Sequence, residues 1–336
     1  MIARVVAAVL TVVVAALLLV LAWPQLFNLE WTLPIAQAVS LRGVAILGGV
    51  LGIVLLTIVA IIAARARRFT GSLALTLVAF CAISLAVLAT RGFGSESFAI
   101  KHSSDLTVLS WNTLGDAPGA QAIANLAIEA DADILTLPET SEATGVEVAV
   151  LMGAAGHPMW AYTTPFDQVS KARSTTLLIS AELGTYTVQN DVGNTSVLPT
   201  VVATPDSGVG PTIVSAHPVA PIDGEMDNWR SDLTWLASIC TGDNMIMAGD
   251  FNSTLDHYVR LAGETGVFGE CNDAASESNN GAVGTWPTRY PAIVGAPIDH
   301  VMYSSHWQVS GMRVIQTVDN LGSDHRPIVA QLSVAN

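Results

Sequence analysis

The stretch "MIMAGDFNSTLDH", residues 245–257, decides how this chain is read. Four apolar residues run into Gly249, and Asp250 and Asn252 then flank Phe251, so a carboxylate and an amide stand two residues apart where a buried strand ends. Asp and Asn after a strand are most often turn or cap residues, because their side chains bond nearby backbone N–H groups. Whether this pair does more depends on what the other strands end in. His257, which closes the stretch, has no role in the sequence and is expected at the surface, or at most behind a site.

From residue 105 onward, short apolar runs alternate with polar or Gly/Pro turns, the pattern of strands with helices between them. Strands are expected at "LTVLS" (106–110), "DILTL" (133–137), "TTLLIS" (175–180), "TIVSA" (212–216), "NMIMA" (244–248), "HVMYS" (300–304) and "IVAQL" (328–332). Helices are expected at "AQAIANLAIEA" (120–130) and "NWRSDLTWLASI" (228–239). Several of these runs turn polar only at their ends, as buried strands of a layered α/β domain do when the strand ends carry the functional groups.

Those ends form a set. Asn112 follows the first strand and Glu139 the second; His217 follows "TIVSA", and Asp250 and Asn252 follow "NMIMA". Asp299 stands just before "HVMYS", and Asp324 and His325 stand before the last strand. Singly, each has a dull reading as a cap, a turn or a satisfied histidine. Together, one Glu, three Asp, two Asn and two His give hard oxygen donors, which suit Mg²⁺ or Mn²⁺ better than zinc. They also give Asp and His partners suited to moving protons. Metal-assisted phosphoester hydrolysis uses all of these parts, since an ion offsets phosphate charge while a carboxylate or imidazole activates water.

In this order, "WN", "PE", "AHP", "GDFN", "IDHV" and "SDHRP" resemble the motifs of the endonuclease/exonuclease/phosphatase superfamily, and the resemblance runs from Asp105 to about Val334. It implies an α/β fold, the four-layer α/β sandwich called DNase I-like. It also implies Glu139 as principal Mg²⁺ ligand, with Asn112 beside it and Asp324 as a second carboxylate on the metal side. Asp250 would orient or activate water, Asn252 would hold a phosphoryl oxygen, Asp299 would pair with His325, and His217 would contact the phosphate. Pro138 stands where the family usually has Gln, which alters a supporting contact. His217 stands where the apurinic-site endonuclease branch generally has another residue, which argues against DNA repair. "TWPTRYP", residues 285–291, resembles a loop that many members carry ahead of "IDHV"; Trp286 and Arg289 could face substrate or pack under the loop. Tyr162 is a candidate for the phosphate-contacting tyrosine of some members.

The first ninety residues are different. Residues 5–22, 44–64 and 73–89 are apolar and almost uncharged, each close to the roughly 20 residues of a membrane-spanning helix. They lack the polar stripe of a soluble core helix, and no small-residue cleavage site precedes Trp23, so an uncleaved anchor is expected rather than a signal peptide. Arg4, Arg65, Arg67 and Arg68 outweigh Arg42, Arg91 and Lys101 on the other side. By the positive-inside bias the chain starts in the cytoplasm, and three spans leave the rest outside it. The expected organisation is a membrane anchor over residues 1–90, a Gly- and Ser-containing linker over 91–104, and a catalytic domain over 105–336.

Charge narrows the partners. From Lys101 onward the chain has 8 basic and 26 acidic residues, a formal net charge of −18, and no cluster of Lys or Arg. Affinity for a duplex comes from neutralising phosphates with basic patches, so the composition argues against duplex nucleic acid as partner. Outside the cytoplasm Cys240 and Cys271 could pair, or both could be small apolar side chains. Three spans before such a domain resemble the bacterial branch linked to teicoplanin resistance. The expectation is therefore a membrane-anchored, Mg²⁺-dependent phosphoesterase, acting on a phosphodiester, phosphomonoester or pyrophosphate, with a lipid-linked phosphate favoured. An extracellular nuclease and a non-catalytic membrane-bound binding module are the alternatives.

Overall fold

In the computed structural model, which describes residues 1–95, 97–167 and 169–335, the chain divides into two compact units, Met1–Thr90 and Arg91–Asn336. The first is helical, with α1 (Ile2–Ala22), the short α2 (Ile35–Ser40), α3 (Arg42–Ile62) and α4 (Arg67–Arg91), whose last residue already belongs to the second unit. Three of these, α1, α3 and α4, are long and apolar enough to cross a membrane, at 21, 21 and 25 residues with mean hydropathies of 3.2, 2.9 and 2.4. Arg42, counted above as a flanking charge, is buried and donates from Nη1 to the Ala22 carbonyl at 3.0 Å. It thus satisfies a carbonyl left open at the end of α1.

The second unit runs through β1 (Leu106–Ser110), α5 (Ala120–Glu129), β2 (Ile134–Pro138), α6 (Glu142–Ala154), β3 (Met159–Pro165), β4 (Ser174–Ser180), β5 (Tyr186–Val188), β6 (Val201–Pro205) and β7 (Thr212–Ala216). It continues through α7 (Met226–Ile239), β8 (Met245–Asp250), β9 (Asn272–Asp273), α8 (Ala274–Glu277), β10 (Asp299–Tyr303), β11 (Trp307–Val314) and β12 (Ile328–Val334). Two six-stranded sheets result, in the orders β11-β12-β1-β2-β4-β3 and β5-β6-β7-β8-β10-β9. Each contains one parallel pair joined through a helix: β1 and β2 through α5, and β7 and β8 through α7.

Alternation along the strands makes the layers. Val108, Ile134, Leu177 and Ile179 of the first sheet share one core with Ile213, Ile246, Ala248 and Val301 of the second. Their neighbours Leu109, Leu135, Leu137 and Leu178 project the other way, into a second core with Ile123, Ala127, Val148 and Met152 of α5 and α6. Strands apolar on both faces read as unbroken runs in sequence, and each such buried side chain is worth about 1.5–3 kcal/mol.

Register then decides where the polar ends meet. β1, β2, β7 and β8 run toward one end of the sandwich, and β4, β10 and β12 run back from it. Ser110 lies opposite Ile328, Pro138 opposite Thr175, Ala216 beside Gly249 and Asp250 opposite Asp299. Residues just beyond these positions are therefore gathered at one edge. Gly249 is required there: a Cβ on it would lie 2.0 Å from the Ala216 carbonyl oxygen, so only glycine lets β8 bring Asp250 in against β7.

Strands β3, β5, β6, β9 and β11 and helix α6 were not expected from the sequence. Helix α6, "EATGVEVAVLMGA", carries valines and two glycines, which weaken the helical signal. Its Gly145 lies against β4, where a Cβ would come within 2.6 Å of the Thr176 methyl. Strand β11 is only partly buried and carries an irregularity between Val309 and Gly311, so it lacks a clean alternation. The stretch read as a linker is tied to the second unit: the amides of Gly94 and Ala99 donate to Asn279 and Ser310 carbonyls at 2.8 Å, and Lys101 Nζ meets Asp131 and Asp133 at 3.0 and 2.9 Å.

Cys240, at the end of α7, and Cys271 are joined in a disulfide with Cα atoms 6.0 Å apart across 31 residues of sequence. Closing a loop of that length restricts the unfolded chain by about 3–4 kcal/mol. The double substitution Cys240→Ser, Cys271→Ser is expected to lower the unfolding midpoint of the second unit accordingly, while reducing agent should lower only that of the wild type. Thermal unfolding with and without dithiothreitol measures both.

Candidate active site

The site is built where the two sheets end together. Asn112, one residue past Trp111 on the β1 side, donates from Nδ2 to Glu139 Oε1 at 3.1 Å and to Asp250 Oδ2 at 3.0 Å, so its amide bridges the ends of both sheets. Its oxygen accepts the Leu114 N–H at 3.0 Å, which fixes the amide plane. Glu139 and Asn252 both sit at positive φ, 56° and 46°. Asn tolerates that region, whereas for Glu it costs on the order of 1–3 kcal/mol, strain of the kind found where a side chain must be aimed.

Asp299 and His325 form the second part. His325 Nδ1 lies 2.9 Å from Asp299 Oδ2 and its Nε2 lies 3.6 Å from Asp250 Oδ2, so both ring nitrogens face carboxylates. Burial alone would lower the imidazole, but Asp299 and Asp250 outweigh it and push it up. Burial pushes the Asp250 carboxyl up, with His325 opposing and Asp299 reinforcing that shift. The three residues are buried, and their ligand-type atoms lie within 4.8 Å of one another, close enough to hold an ion.

His217 is the neutral member. Buried completely, its imidazole is pushed down to about 3 by desolvation, with His325 adding to the effect. Its backbone N–H donates to Thr200 Oγ1 at 3.1 Å, and Thr175 Oγ1 lies 3.5 Å from Nδ1. Its Nε2 has no hydrogen-bond partner among the described residues and lies 3.9 Å from Glu139 Oε1.

Asn252 donates from its backbone to Asp250 Oδ1 at 2.8 Å and from Nδ2 to the Pro218 carbonyl at 3.0 Å. It thereby pins the turn after β8 to the turn after β7. Asp324 accepts the Trp286 indole N–H at 2.8 Å through Oδ2, while its buried Oδ1 has no partner among the described residues. Glu139 is raised first by burial; Asn112 and His325 counter that, and Asp324 adds to it. Two carboxylates thus repel each other across the site, one with a free oxygen, and a divalent cation would relieve both. The residues present fit such an ion. A cleft of about 460 Å³ in the second unit is lined by Ser141, Val146, Pro165, Lys171 and Ser174 among others, and by none of these site residues.

The sequence of the family described as Endonuclease/Exonuclease/phosphatase matches residues 109–325, which include all eight of these side chains. The chain belongs to the endonuclease/exonuclease/phosphatase family. Solved structures of similar fold include an endonuclease/exonuclease/phosphatase from Beutenbergia cavernae DSM 12333 (17% identity, 69% of this chain and 72% of that chain, TM-score 0.53). Humanized D. rerio TDP2 (16%, 69% and 100%, TM-score 0.52) and the human Nocturnin catalytic domain with bound sulfate (19%, 71% and 98%, TM-score 0.50) are similar too. At these identities the likeness is one of fold. No curated protein matches the chain.

The structure corrects the expectations for Tyr162 and His257. Tyr162 lies inside β3, packs against the inter-sheet core and accepts the Tyr186 N–H at 3.2 Å, so its hydroxyl serves the fold. His257 is buried: its Nδ1 accepts the Thr254 N–H at 2.9 Å in a capping box, and its ring lies edge-on to Trp229. The usual box has Glu or Gln three residues after Ser or Thr, and here His257 takes that place. Arg289 is exposed and stacks over Tyr290 at 4.9 Å. Ser323, which its local sequence does not mark as a site residue, donates from its hydroxyl to the Asn112 carbonyl at 2.6 Å and accepts the His325 N–H at 3.0 Å, tying these two site residues together. It stands in the quoted "SDHRP", where a small hydroxyl before the Asp was the available clue.

Proposed function

We propose that the chain is a membrane-anchored phosphoesterase dependent on Mg²⁺ or Mn²⁺, with the three apolar helices in the bilayer and the second unit outside the cytoplasm. The observation that carries this reading is the unbroken chain Glu139–Asn112–Asp250–His325–Asp299, which puts a candidate metal carboxylate, a buried base and an oriented imidazole in one line of contacts. Glu139 and Asp324 would hold the ion, with Asn112 orienting Glu139. The Asp250, Asp299 and His325 triangle is a poorer cage, because the imidazole already pairs with Asp299 there. When bound, the ion supplies positive charge to a phosphoryl oxygen and its leaving group.

The protein side chains do the rest. Asp250 takes a proton from the attacking water. His325, held by Asp299, can give a proton to the departing oxygen and recover one from the protonated Asp250 beside it. Neutral His217, whose Nε2 has no partner among the described residues, offers an N–H to a phosphoryl oxygen without adding charge, while the Asn252 amide, held by the Pro218 carbonyl and Asp250 Oδ2, positions Asp250.

A lipid-linked phosphate or pyrophosphate is the favoured substrate. The acidic second unit repels a polyanion, and three spans keep it beside lipid. The disulfide and the flanking arginines support the outer face. In the test, the full-length chain in detergent is assayed for phosphate release from undecaprenyl pyrophosphate, a nucleotide and an inositol phosphate and for strand cleavage of DNA, with Mg²⁺ and with EDTA. Turnover of the lipid that EDTA abolishes is expected. Efficient cleavage of DNA that His217→Ala removes would favour a nuclease instead, and inactivity of the folded protein on all four would favour a binding module.

A further inference from the structure

We propose that Trp286 is a positioning residue that restricts Asp324 to a single free oxygen, so that Asp324 presents a one-point ligand to the ion that Glu139 would also hold. This rests on the metal-dependent reading above. The indole N–H can only donate, and it takes Asp324 Oδ2 at 2.8 Å, leaving the buried Oδ1 without a partner among the described residues. Mg²⁺ usually keeps most of its waters and binds through one or two carboxylates. A carboxylate held at one oxygen cannot rotate to chelate, and it keeps its other oxygen directed.

The indole is itself held. Trp286 exchanges backbone hydrogen bonds with Ala296 at 3.0 and 2.6 Å, and Thr285 Oγ1 accepts the Ile298 and Asp299 amides at 3.1 and 3.2 Å. On the other side, buried Arg326 donates to the carbonyls of Gly284, Thr288 and Tyr290 at 3.3, 3.0 and 2.8 Å and is anchored by Asp319 at 2.7 Å. Thr288 also donates from its backbone to the Asp324 carbonyl at 2.9 Å. The loop is thus clamped before and after Trp286, which is what a fixed donor requires. Residues that orient a metal ligand in this way typically change metal affinity by about 10–100-fold when removed.

The test measures Mn²⁺ binding to the full-length chain in detergent, from the electron paramagnetic resonance signal of free Mn²⁺. Trp286→Phe removes the N–H. A β-(3-benzothienyl)alanine at position 286, isosteric with tryptophan but without the N–H, gives the same comparison if Phe disturbs folding. Trp307→Phe is the control, because Trp307 donates its indole N–H to Asn244 Oδ1 at 2.9 Å, away from the site residues. Mn²⁺ affinity is expected to fall about 10–100-fold in both position-286 variants and to stay unchanged in the control, with turnover recovered by excess Mn²⁺. Affinity within threefold of wild type in the isosteric variant overturns the proposal while leaving the metal-dependent reading intact. A wild-type chain that binds no Mn²⁺ overturns both.

Discussion

Asp250→Asn is expected to leave the second unit folded and to lower turnover by about 10²- to 10⁴-fold, the usual worth of a general base. The substitution is isosteric, so the change is one of proton chemistry and hydrogen-bond polarity. Asp250 accepts from the Asn252 amide through Oδ1 at 2.8 Å and from Asn112 Nδ2 through Oδ2 at 3.0 Å. An amide offers only one oxygen to these two donors, so either orientation leaves an N–H facing an N–H, and a buried mismatch of this kind costs about 1–3 kcal/mol. A modest fall in unfolding midpoint should therefore accompany a large fall in kcat. Glu139→Gln should behave differently, losing affinity for Mn²⁺ first. Parallel measurements of kcat, Mn²⁺ affinity and unfolding midpoint on the two variants separate the roles. An Asp250→Asn enzyme within threefold of wild-type kcat would remove Asp250 from proton transfer.

Which parts of this arrangement could be read beforehand follows from burial. The central strands β1, β2, β4, β7, β8, β10 and β12 are buried on both faces, so their apolar runs stood out unbroken, and the polar residues that end them stood out against those runs. The edge strands β3, β5 and β11 face solvent on part of their surface and carry mixed residues, and β9 is only two residues long. Their existence is set by what they pair with, which no local window contains. The same holds within the site. Asp299 opposite Asp250 is a matter of register between β8 and β10, and the bridge from Asn112 to Asp250 depends on two sheets stacking. Neither follows from spacing along the chain. Ser323 and His257 show a different limit: each bonds its neighbours through geometry that a short motif permits without requiring.

His300→Ala is expected to destabilise the second unit by about 3–5 kcal/mol, because it strips a buried carboxylate of its charged partner. His300 follows Asp299 in β10 and points away from the His325 imidazole. Its Nδ1 lies 2.6 Å from Asp273 Oδ2, and its Nε2 lies 3.0 Å from the Ser253 carbonyl. Phe251 and Tyr258 meet the ring edge-on, each with centroids 5.5 Å away, so water has little access. Burial alone would lower this imidazole, but Asp273, the Ser253 carbonyl and Asp299 together raise it. A histidine whose folded value lies above its unfolded value of about 6.5 stabilises fully below that pH, and the contribution is lost as pH rises through the raised value. The gap between wild type and His300→Ala should accordingly be widest near pH 6 and narrow in alkali. Urea unfolding followed by tryptophan fluorescence at several pH values gives that gap, and one that widens with pH would refute the charged pair. Activity should fall as well, for a mechanical reason. The Ser253 hydroxyl donates to the Phe251 carbonyl at 2.9 Å across the turn that holds Asn252 at its left-handed φ, and His300 ties the Ser253 carbonyl to β10. Loosening it frees the Asn252 amide that fixes Asp250, so a side chain with no catalytic contact of its own controls how firmly the base is aimed.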